Sequence, residues 1–95
     1  NMQAGARLNV AGFDLRGVGS LQGSQLALAI ASAAWCQDLD FSGAALQAIN
    51  LRKADLTGCF FVQADLRGAD LEGAQLNGAI LAGAVLTSLP VGGHD

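Results

Sequence analysis

The chain has 95 residues, about half of them apolar and only 14% charged, with thirteen glycines, one proline and no tyrosine. Five Lys/Arg against eight Asp/Glu leave a net charge of −3, which excludes the basic footprint of a direct nucleic-acid binder. The longest apolar run, Leu26 to Ala31, is far short of the ~20 residues that span a bilayer, so no membrane partner is expected.

The length suits one small domain. Its apolar content is mainly Ala and Leu, which favours a narrow, regular core over a bulky one. No charged, apolar and cleavage segments of a secretory signal open the chain, and the cytoplasm is the expected compartment. Cys36 and Cys59 stand far apart in the chain without a CxxC pairing, a spacing that suits buried thiols better than a disulfide or a metal.

Residues 1–38 are expected to form an N-terminal segment with two imperfect five-residue units. These are Leu8-Asn9-Val10-Ala11-Gly12 and Phe13-Asp14-Leu15-Arg16-Gly17. Counting in fives from Leu15 arrives at Asp40 and not at Phe41, so something between them absorbs a slip of one. One reading places a short α-helix over residues 25–34, N-capped by Ser24 and rich in alanine, the strongest helix former. The other continues the five-residue pattern, with Val18 as a single bulged residue. It makes pentads of Gly19–Gly23 and Ser24–Leu28, and puts Ala31 and Cys36 into slots where a large side chain is expected. The alanine content favours the helix.

From residue 39 to 88 the pattern is unbroken. Every fifth residue is Leu or Phe: Phe41, Leu46, Leu51, Leu56, Phe61, Leu66, Leu71, Leu76, Leu81 and Leu86. Two residues before each sits a second apolar residue, such as Leu39, Ile49 or Ala64. A period of five fits neither a helix nor a simple strand. It implies a repeat architecture in which neighbouring units bury what one cannot. First and third positions point inward along a three-residue strand, and the fourth and fifth form a corner. Glycine fills the fifth position in six of the ten pentads, as a positive φ there requires. Ala48, Lys53, Gln63 and Ser88 take the same slot and are expected to use a different turn type. Four pentads close a square coil, so ten make two and a half coils. A stack that short needs its ends covered, and residues 18–38 are expected to cover or flank one of them. The other end, near Leu86–Pro90, is expected to dimerise or to join further sequence. Residues 89–95 read as a flexible C-terminal tail.

Ala64-Asp65-Leu66-Arg67-Gly68 and Ala69-Asp70-Leu71-Glu72-Gly73 resemble the A(D/N)LXX motif of the pentapeptide repeat family. That resemblance implies an all-β solenoid, a right-handed quadrilateral β-helix with the ten Leu/Phe residues as its interior ladder.

Pentads four apart share a side of the coil, which sorts the outward residues. Three sides are polar, but Phe60, Val62 and Ile80 share one side and occupy slots that, by the resemblance, are expected to be polar. Either the 25–34 segment or Trp35 packs over them, or they form a contact surface. No catalytic constellation is present. His94, the only histidine, lies near the C-terminus, and Asp40, Asp55, Asp65 and Asp70 recur in one structural slot. The expectation is a non-enzymatic structural and protein-interaction module with no cofactor and no metal, binding an unidentified protein or a second copy of itself. Phe60, Val62, Ile80 and Trp35 are its candidate contact residues. The resemblance also implies an alternative, a topoisomerase-binding DNA mimic of the quinolone-resistance type. The net charge of −2 over residues 39–88 is low for that role. A further alternative is an accessory domain of a larger enzyme or effector.

Overall fold

The computed structural model describes residues 7–88. Over this range the chain winds as a quadrilateral coil from Leu8 to Leu86, and parallel bridges join each turn of the coil to the next. Coil 1 takes residues 8–28, coil 2 29–48, coil 3 49–68 and coil 4 69–88, with four pentads in each. Over the described residues the stack is therefore four coils high, not the two and a half counted from residue 39, because the coil already runs at Leu8.

The backbone geometry repeats from pentad to pentad. The central carbonyl accepts a turn hydrogen bond from the first N–H of the next pentad, as Phe41 does from Ala44 at 3.0 Å. The central N–H donates to the coil above, Phe41 to the Phe60 carbonyl at 2.7 Å. The second-position N–H donates to the coil below, Phe60 to the Leu39 carbonyl at 2.9 Å. The backbone groups of the short strands thus find partners between coils, as burial demands.

The helix expected over residues 25–34 is absent, and the coil passes through this segment and on across residue 38 without interruption. A helix that short is marginal on its own, however much alanine it carries. In the coil the same residues gain more. Ala29, Ala31 and Ala34 are buried, and the N–H groups of Ala31 and Ala33 donate to the Asn50 and Arg52 carbonyls at 2.7 and 2.8 Å. Stacking overrides local propensity here.

The frame slip is absorbed by one residue. The bridges Asn9–Ile30 and Asp14–Trp35 join positions one step further apart in the chain than Ser20–Asp40 and every later bridge. Val18 still closes the turn begun at Leu15, at 3.1 Å, and Gly19 at φ 93° opens the next side. Val18 is thus the bulged residue, 49% exposed.

Ala48, Lys53 and Gln63 do not leave the left-handed region that glycine takes. Their φ values are 57°, 61° and 57°, against 71° at Gly43 and Gly58. Leu28, Ala33 and Asp38 do the same at 68°, 58° and 65°. The coil imposes this conformation on whichever residue holds the corner, at a cost of roughly 1–2 kcal/mol for a residue with a Cβ.

The interior ladder is sealed in the middle and open at the top. Leu51, Leu56, Phe61 and Leu66 of coil 3 are at most 2% exposed, and Phe61 stacks on Phe41 with centroids 5.2 Å apart. Leu71, Leu76 and Leu81 of coil 4 are half-buried and Leu86 is 52% exposed. Urea unfolding of Phe61→Ala should therefore show a loss of about 3–5 kcal/mol. The same truncation at Leu86 should cost less than half as much.

Candidate interaction surface

The outward second-position residues form four vertical rows. Side one carries Asn9, Ile30, Asn50 and Asp70, and side two carries Asp14, Trp35, Asp55 and Gln75. Side three carries Ser20, Asp40, Phe60 and Ile80, and side four Gln25, Ala45, Asp65 and Val85.

The acidic residues of these rows serve the coil itself. Each of Asp14, Asp40, Asp55, Asp65 and Asp70 accepts the backbone N–H two residues on, at 2.9–3.1 Å. This is the Asx turn that a short carboxylate makes readily, and it pins the corner that follows. The other carboxylate oxygen commonly faces the coil before it. Gln37 donates to Asp55 and Gln47 to Asp65, both at 2.8 Å, and Gln22 reaches Asp40 in the same way. These glutamines carry a signal in the sequence, a Gln at a constant offset before an Asp, that only a known coil frame makes readable.

Arginines complete the pattern. Arg16 pairs with Asp14 at 2.8 Å and Arg67 with Asp65 at 2.7 Å, while Arg52 bridges Asp70 and Glu72. The side-chain hydrogen bonds from Arg16 and Arg67 hold the Asp14 and Asp65 carboxyls at about 2, below the usual carboxylate range. Cys36 and Cys59 are buried, and desolvation pushes their thiols up to about 12 and about 11. They stay protonated at neutral pH and are poor nucleophiles. The Cys59 thiol donates to the Cys36 carbonyl at 2.8 Å. Among the described residues, no group of three His, Cys, Asp or Glu could hold a metal ion. His94 and Pro90 lie outside the described residues.

Against these occupied polar rows, side three stands out. Phe60 bridges directly to Ile80, and the two are 43% and 44% exposed with half-buried Val62 beside them. Neither cover expected from the sequence lies on them. Residues 25–34 are part of coils 1 and 2, and Trp35 belongs to side two. Trp35 is itself 49% exposed, with the Arg16 guanidinium 4.7 Å from its ring centroid. The structure therefore separates the four contact candidates: Phe60, Val62 and Ile80 come together, and Trp35 stands apart. Round the corner from Ile80, Val85 extends the apolar exposure to side four, at 43%.

The fold and its pentad chemistry define a class, the single-chain β-solenoids built on a five-residue unit. The family description for pentapeptide repeats matches in eight copies, over residues 34–73 and 44–83, and the chain belongs to that family. The fold of these proteins is the right-handed quadrilateral β-helix. A similar solved structure is alr5209, a pentapeptide repeat protein from Nostoc PCC 7120, at 32% identity and a TM-score of 0.66. The match covers 84% of this chain and 65% of alr5209. Another is HetL from Nostoc sp. strain PCC 7120, described as involved in heterocyst differentiation regulation. It is 27% identical with a TM-score of 0.48, the match covering 88% of this chain and 43% of HetL. This chain thus spans less than two thirds of either protein's length. No curated protein matches it.

Because the Asp14 and Asp65 carboxyls sit below their unfolded value, their ion pairs stabilise the fold fully above about pH 4. That contribution is lost as pH falls through about 2. Acid titration of thermal stability should therefore show a decline between pH 4 and pH 2, and Asp65→Asn should flatten part of it.

Proposed function

We propose that this chain is a non-catalytic scaffold that binds another protein, or a second copy of itself, through the apolar strip of side three. The observation that carries this reading is the Phe60–Ile80 pair. Two large apolar side chains stand side by side on a rigid sheet, where the same row holds Ser20 and Asp40 in the coils before them. Contiguous apolar exposure of this kind marks interaction sites, and a rigid backbone lowers the ordering cost of docking. The outward polar rows support the scaffold half of the reading, since their carboxylates are committed to turns and arginines. Among the described residues no helix is long and apolar enough to cross a membrane.

Nothing in the charge distribution favours the DNA-mimic reading. Four coils rise about 19 Å at the strand spacing, a length over which a duplex carries about 11 charges. Residues 7–88 hold seven acidic and five basic residues, and four of the acidic ones are paired with arginine.

The test is the double variant Phe60→Ser/Ile80→Ser, compared with wild type by light scattering across a concentration series and by retention of source-lysate proteins on immobilised chain. Both substitutions are outward, so thermal stability should stay near wild type. The variant should lose association or retention that the wild type shows. Identical behaviour of the two proteins would refute the docking strip.

A further inference from the structure

The sixteen central slots of the stack hold Leu, Phe or Val in all but two. The exceptions, Ala31 and Cys36, follow one another on sides one and two of coil 2, and both are at most 4% exposed. A β-helix cannot close up around two small side chains in the way a loose globule relaxes. Its walls are set by the ladder, with Ala31 and Cys36 held to the Asn50 and Asp55 carbonyls at 2.7 and 2.9 Å. Missing side-chain volume therefore stays as space. The structure has that space: a cavity of about 150 Å³ inside coils 1 to 3, bounded by Ala31 and Cys36 and by Leu15, Leu26, Phe41 and Leu51 among others.

Every residue lining it is apolar or a thiol. A water molecule needs two to four polar partners to be held in a cavity, and this one offers only the weak Cys36 thiol among its lining side chains. An apolar cavity of this volume is the kind that takes up benzene or xenon. The cavity lies toward the coil 1 end of the stack, where Leu8 and Val18 line it and are 40% and 49% exposed.

We infer that the interior of coils 1 and 2 is a binding site for a small apolar molecule of about the size of benzene. The ligand class follows from the lining and the volume. A polar or charged molecule would lose its hydration without recompense, and a longer chain would meet the filled slots of Leu46, Leu51 and Leu56. The site is separate from the side-three strip, which faces outward.

Carbon-13 methyl spectra of alanine-labelled protein test this directly, with benzene as one probe and xenon as the other. The methyls of Ala29 and Ala31 should shift saturably below the solubility limit of benzene, while those of Ala64 and Ala74 should not. Cys36→Leu, which restores the usual occupant of the slot, should abolish the shifts and raise the melting temperature. Ala31→Leu does the same from the adjacent side, should the first variant fold poorly. The Phe60→Ser/Ile80→Ser variant should bind both probes as wild type does, which separates this site from the docking strip. Absence of a saturable shift with both probes would overturn the inference. So would shifts that persist unchanged in a folded Cys36→Leu or Ala31→Leu protein.

Discussion

A corner turned in the same sense every five residues is the constraint on which the molecule depends. It requires a positive φ at the fifth position of nearly every pentad, and most of the glycines and six other residues accept it. Those six include Leu28 and Lys53, for which the left-handed region is unfavourable by roughly 1–2 kcal/mol. No local preference holds them there. The ladder between coils does, because a corner that relaxed would pull the flanking pentads out of register and break hydrogen bonds above and below. Local strain and long-range pairing are thus two sides of one arrangement.

That coupling explains where the sequence could be read and where it misled. The central leucines and phenylalanines from Phe41 to Leu86 announce the five-residue period with no ambiguity, and the fold from residue 39 follows. Residues 25–34 did not, for two physical reasons. Alanine serves equally as a helix former and as the small inward residue of a pentad, so composition could not choose between them. The continuous coil with Val18 as its bulge then put Ala31 and Cys36 into central slots where a large side chain is expected, which told against it. The choice is made by tertiary stacking, which gives Ala31 and Ala33 their partners, Asn50 and Arg52, in the next coil.

The candidate surface was legible to a similar extent. Phe60, Val62 and Ile80 could be placed on one side because that part of the frame was secure. Trp35 could not, since its side depended on the unread segment. The contact of Arg16 with Trp35 and the bond of Gln37 to Asp55 both require the coil offset before they can be seen. The cavity follows from Ala31 and Cys36 in central slots, which only the continuous coil turns inward. The aspartates, by contrast, were readable as structural from their recurrence alone, and the Asx turns and arginine pairs show what each one does.

The scaffold therefore has a routine interior in coils 3 and 4, a vacancy of side-chain volume in coil 2, and an exterior that departs from polarity at Trp35 on side two and at Phe60, Ile80 and Val85 on sides three and four. All of this rests on one continuous stack of four coils through residues 25–34. Native-state hydrogen exchange at the amides of Ala31, Ala33 and Cys36 measures that continuity most directly. The account predicts protection comparable to that of Leu46 and Leu51, since each donates to the next coil. Rapid exchange at these three amides, with helical i to i+4 contacts in place of contacts to residues 50–55, would contradict it.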